Sequence, residues 1–143
     1  MDKNKLNRLI AKVEKPARYM GGELNMRIKA EAEFRFALCF PDTYEIGMSH
    51  LGSRIIYNIL NKRADTYCER VYAPWVDMEE QLRENNEPLF SLETRSPLRE
   101  FNVIGFSLLY EMCYTNILTV LELSGIPFLA SERGEDMPLI AAG

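Results

Sequence analysis

Three short stretches gather the residue types that chemistry uses. The first is Phe40-Pro-Asp-Thr-Tyr-Glu-Ile-Gly-Met-Ser-His-Leu-Gly52. It holds the single histidine of the chain, His50, together with Tyr44, Glu45 and Ser49. Gly47 and Gly52 allow a close backbone approach, and a helix start here would offer free N–H groups to an anion. The two glycines are too far apart for a dinucleotide-binding loop, and no Gly-Lys-Ser/Thr follows as in a nucleotide-phosphate loop. A ligand loop and a purely structural helix start both stay open. His50 alone builds neither a Ser-His-Asp nor a Cys-His arrangement, and it reads either as a hydrogen-bonded structural residue or as a ligand.

The second stretch, Val71-Tyr-Ala-Pro-Trp-Val-Asp77, carries the only tryptophan, Trp75. An aromatic there can cover a flat ligand or seal the edge of the core. The third is Gly105-Phe-Ser-Leu-Leu-Tyr-Glu-Met-Cys-Tyr-Thr-Asn116. Ser107, Tyr110, Glu111, Tyr114 and Asn116 form a dense set of polar tips. Glu111 could act as an acid or base, but no second carboxylate stands at a defined spacing from it. Helix capping and interface hydrogen bonds are the alternative.

The elements that must position these stretches alternate. Residues 3–14 place Leu6, Leu9, Ile10 and Val13 at helical spacing, and Pro16 ends that amphipathic helix. We read 1–16 as this helix and 17–143 as one domain. Residues 34–40 form an apolar strand, suited to a sheet covered on both faces. A helix is expected over 49–62, with Ser49 as N-cap and Leu51, Ile55, Ile56, Ile59 and Leu60 as its apolar stripe. Further strands are expected over 67–73, 102–109 and 138–142, with a short one at 89–92. Helices are expected over 76–85 and 113–124, and Gly125 sits where a glycine ends a helix. Strands and helices in alternation give an open, mainly parallel α/β sheet with flanking helices, Rossmann-like or flavodoxin-like. Ligands of such sheets lie outside the carboxyl ends of the strands, which is where all three stretches fall.

Composition narrows the function classes. The chain has 143 residues, 47% of them hydrophobic and 27% charged, as one globular domain requires. The net charge is −4, which speaks against a broad basic nucleic-acid surface, and no apolar run is long enough for a membrane span. Cys39, Cys68 and Cys113 are scattered, with no CxxC or CxxxCxxC spacing, so neither a disulfide framework nor a metal cluster is expected within these residues. No secretory signal is read at the start, and the expected location is the cytoplasm.

Five blocks in order carry a resemblance: Tyr19–Asn25, Phe40–Gly52, Glu69–Met78, Pro88–Glu93 and Gly105–Leu108. Together they resemble the N-terminal domain of the radical SAM proteins described as having a B12-binding domain. The resemblance implies a cobalamin-binding-like Rossmann domain ahead of a radical SAM domain of the same polypeptide. That second domain would hold a [4Fe–4S] cluster and S-adenosylmethionine. Cobalamin in this domain would rest on Tyr44, Glu45, Gly47, Ser49, His50, Trp75, Ser107, Leu109 and Glu111. Ser107-Leu108-Leu109 matches the SxL of the base-off cobalamin pattern. In its DxHxxG element, Met48 replaces the Asp and Ser53 the Gly. We therefore expect an accessory domain with no catalysis of its own, cut before the catalytic part. The alternative is a stand-alone small-molecule or partner-binding α/β module.

Overall fold

A computed structural model describes residues 2–143. Phe34–Phe40 forms β1, Thr66–Tyr72 forms β2, Val103–Phe106 forms β3 and Leu139–Ala142 forms β4. All pair in parallel, in the order β2-β1-β3-β4. The α/β sheet expected from the sequence is therefore present. Its strand order reverses between β1 and β3, which makes their carboxyl ends the topological switch point.

The helices are α1 (Lys3–Ile10), α2 (Tyr44–Ser49), α3 (Leu51–Lys62), α4 (Val76–Asn85) and α5 (Tyr114–Leu123). Asp2 caps α1 by accepting from the Asn4 amide at 2.9 Å. Gly125, at φ 65°, ends α5 as its position suggested. One sheet face bears Ala37, Cys39, Val71, Ile104 and Phe106, and against it pack Leu6, Ile10 and Val13 of the N-terminal segment, Met78 and Leu82 of α4, and Val120 and Leu121 of α5. The opposite face bears Leu38 and Cys68, covered by Tyr57 of α3.

Four expectations need correction. α2 lies where a loop was expected. The N-cap of α3 is His50 rather than Ser49, whose hydroxyl instead donates to the Ile46 carbonyl at 2.7 Å. Residues 89–92 do not form a strand. Their amides go to three different carbonyls, those of Leu123, Ser96 and Arg70, and only a single bridge joins Phe90 to Pro97. The apolar stripe of α3 faces outward: Leu51, Ile55, Ile56 and Ile59 are all exposed, while Ser53 and Tyr57 are buried. No helix among the described residues is long and apolar enough to cross a membrane.

Candidate functional site

The three loops meet at the carboxyl edge of the sheet, and Asp42 joins them. Its carbonyl accepts the Ala73 amide after β2 at 3.0 Å, and its Oδ1 accepts the Thr43 amide at 2.7 Å. Its Oδ2 receives the Tyr110 hydroxyl from the loop after β3. That hydrogen bond to the Asp42 carboxylate pushes the Tyr110 hydroxyl up to about 12, so it stays a donor near neutral pH. Asn116 adds a bond to the Pro41 carbonyl at 2.9 Å. The mouth of the switch point is thus laced by Tyr110 and Asn116 on one side and Pro41-Asp42 on the other.

The site residues expected from the sequence separate into three groups. Tyr44, Glu45 and Trp75 gather around Arg18 beside β2. Arg18 donates to Glu45 at 2.9 Å and lies over the Trp75 ring at 5.3 Å. Burial pushes Glu45 up, but the Arg18 guanidinium and then the Lys15 ammonium outweigh it and hold the carboxyl below its usual range. Tyr19 accepts the Trp75 amide at 3.0 Å. Arg18, Tyr19, Tyr44 and Trp75, without Glu45, line a cleft with Tyr72 and Phe90, and its free volume is only about 20 Å³. That is room for about one water molecule, not for a macrocycle.

Ser107, Leu109 and Glu111 form the second group, on the other side of the Asp42–Tyr110 contact. Ser107 is buried, and its amide donates to Cys39 at 3.0 Å, extending the β1–β3 pairing. Leu109 and Glu111 are exposed. Ser49 and His50 make the third group, committed to helix ends. His50 Nδ1 accepts the Ser53 amide at 3.1 Å and lies 2.9 Å from its hydroxyl, while the ring stands 5.2 Å from that of Phe40. Gly47 serves packing: a Cβ there would sit 2.3 Å from the Tyr72 ring.

Sequence reasoning missed a buried ionic layer beneath the site. Arg70, in β2, donates from Nε to Glu93 Oε1 and from its amide to Glu93 Oε2, both at 2.7 Å. Its Nη2 lies 3.5 Å from Glu23, which also accepts the Tyr44 hydroxyl at 3.0 Å. Glu69, the preceding residue, points to the other face. There it accepts from Arg35 at 2.7 Å, Ser91 at 2.7 Å and the Thr94 hydroxyl at 2.6 Å. A Glu-Arg pair inside an otherwise buried strand was the available signal, because adjacent strand residues face opposite ways and each charge needs its own partners. Among the described residues, no group of three His, Cys, Asp or Glu side chains converges as a metal site.

Comparison with known proteins gives one match. The family model described as radical SAM proteins, N-terminal, matches residues 52–143, well over half of the chain. No curated protein matches, and no solved structure matches. The matched span runs from α3 to β4 and takes in two of the three loops at the carboxyl edge. By this match the chain belongs to the radical SAM proteins, as an N-terminal domain of that family.

Proposed function

We propose that this is the accessory N-terminal domain of a radical SAM enzyme, with the carboxyl edge of its sheet turned toward the catalytic domain of the same polypeptide. The rim of that edge supports the reading. Ile46, Trp75, Val76, Leu109, Met112 and Tyr114 are all exposed there, on the segments that follow three strands. Apolar rims of this kind mark interfaces. In this reading the cluster and S-adenosylmethionine sit in the catalytic domain. The present residues supply a shaped, apolar cover and no reacting group.

Cobalamin would rest on the same edge, near Ser107 and Leu109 at the switch point. The residues present do not fit a histidine-ligated corrin. His50 Nδ1 accepts the Ser53 amide, which leaves the proton of the neutral ring on Nε2 and no free lone pair for cobalt, and the mouth of the switch point is closed by Tyr110 on Asp42. A corrin carried here would lack a cobalt ligand from His50, and any role for it would be set by the strand-end loops.

Thiol labelling of the whole polypeptide tests the docking. A cysteine replacing Met112 should react at least tenfold more slowly than one replacing Glu135, in the charged turn before β4. Equal rates would refute the docked rim. For cobalamin, the polypeptide is mixed with hydroxocobalamin, desalted and read in the visible range. His50→Ala should leave corrin retention and spectrum as in the parent, while removing about 1 kcal/mol of capping stability. A corrin spectrum that changes in His50→Ala would overturn the assignment of His50 as a cap only.

A further inference from the structure

The two faces of the sheet are unequally covered. α4 and α5 close one, together with α1, whereas α3 packs on the other over β1 and β2. Two rows cross that second face from strand to strand. The register sets them as Phe36–Val103–Leu139 and Leu38–Gly105–Ala141. Burial falls away along both. Leu38 is buried, Phe36 and Val103 are half-buried, Leu139 is 67% exposed, and Ala141 is exposed.

The outward stripe of α3 borders this bare strip. Asn61 holds both backbone groups of Cys68, at 2.9 and 3.1 Å, which fixes one flank of α3 over β2. At 3.6 residues per turn the opposite flank carries Leu60 and Ile56, turned toward β1 and β3. Leu60 and Phe36 both pack on the small cluster beneath. Ile59, Ile55 and Leu51 continue the stripe to solvent, where Ile59 is 58% exposed. An apolar helix flank beside an apolar sheet strip is the seat of a second helix lying along α3. The charges of α3, Arg54 and Lys62, stand four residues either side of Asn58 on the polar flank, away from Leu60 and Ile56.

Handedness says where such a helix comes from. The steps β2 to β3 and β3 to β4 run across the sheet in one direction and put α4 and α5 on one face. The step β1 to β2 runs the other way and puts α3 on the opposite face. The bare face is therefore filled when the chain turns back from the β4 side toward β1. We propose that an amphipathic helix, from the part of the polypeptide that follows this domain, lays its apolar face on the seat beside α3. The proposal rests on the reading of this chain as the N-terminal domain of a larger radical SAM polypeptide.

Cysteines placed singly in the whole polypeptide test it. Ile56→Cys and Ile59→Cys should label at least tenfold more slowly than Asn58→Cys on the polar flank of the same helix. All three positions are exposed in the domain, so the substitutions leave its packing intact. A photoreactive maleimide on Ile59→Cys should crosslink to a peptide of the same chain downstream of Gly143. Equal labelling rates would overturn the proposal. So would crosslinks into a second copy, with shielding that grows with protein concentration. Met112→Cys separates the two readings: shielding at 112 with free reaction at 56 and 59 removes the helix seat and leaves the accessory-domain reading standing.

Discussion

Replacing Arg70 by alanine strands two carboxylates inside the domain. Arg70 is 4% exposed and Glu93 8%, so neither charge is rescued by water. The guanidinium donates to Glu93 at 2.7 Å and to Asn25 at 3.3 Å, and it faces Glu23 at 3.5 Å. It also stacks over Tyr57 at 4.5 Å. After truncation Glu93 keeps only the residue-70 amide, and Glu23 keeps only Tyr44 as donor. Breaking a buried pair from one side removes about 3–5 kcal/mol. Domains of this size hold about 5–15 kcal/mol in total, so the loss is a large share. At a urea slope of about 1–3 kcal/mol/M, the unfolding midpoint should drop by at least ~1 M. Where Arg70→Ala alone leaves too little folded protein, adding Glu93→Gln removes one stranded charge and should recover at least ~1 kcal/mol. A loss below ~1 kcal/mol for Arg70→Ala, or a further loss on adding Glu93→Gln, would refute the reasoning. The consequence reaches the site, because Glu23 and Asn25, in the segment after Tyr19, both meet this side chain, and Glu23 also holds Tyr44.

The same pair carries a pH dependence. Burial pushes the Glu93 carboxyl up to about 7, against the pull of the Arg70 charge and hydrogen bonds. Its folded value lies above the ordinary 4.5, so its contribution is full below about 4.5 and is lost as pH rises through 7. Urea midpoints should therefore fall between pH 5 and pH 8, and Glu93→Gln should flatten that slope; an unchanged slope in the variant would assign it to other groups. Gly47→Ala tests the packing of α2 on β2. An added Cβ would meet the Tyr72 ring at 2.3 Å and Phe40 Cβ at 3.2 Å. Overpacking of about 1–3 kcal/mol outweighs the gain of at most ~1 kcal/mol in helix propensity, so thermal unfolding should come earlier, and a raised Tm would show that Tyr72 moves aside freely.

Much of the architecture was legible because its signals are local. The run Phe34–Phe40 could satisfy two covered faces only as an inner parallel strand, and Gly125 could end a helix at positive φ without a Cβ penalty. The placement of the three loops at one sheet edge was legible for the same reason, since strand ends follow from strand positions. Its internal bonds were not. Asp42 stands 68 residues from Tyr110, and Glu23 lies far from Arg70 in sequence. No spacing rule links such residues, because each contact exists only after three strands have taken their order. His50 stood between two readings, a hydrogen-bonded structural residue and a ligand. Its position one residue before a helix makes it the acceptor for an otherwise unpaired amide, which is the first of the two.

The stripe of α3 exposes a limit of periodicity itself. Apolar residues recurring at helical spacing state that a helix has a partner, and they do not state which partner. In this domain the sheet-facing side of α3 is partly polar. Tyr57 accepts the Arg27 amide at 2.8 Å, Asn61 holds the Cys68 backbone, and Ser53 is engaged with His50. Such contacts fix position and register but bury little hydrocarbon, and the cluster beneath α3 is correspondingly small. The hydrocarbon was placed on the outside, on Leu51, Ile55, Ile56 and Ile59. At about 25 cal/mol per Å² of apolar surface, covering Ile56 and Ile59 in the proposed seat would be worth about 2–3 kcal/mol. A helix bound to its own sheet by specific polar bonds and to its surroundings by apolar area belongs at a boundary. With the proposed helix in its seat, α3 would be an inner helix of the larger polypeptide and an outer one only in this domain taken alone.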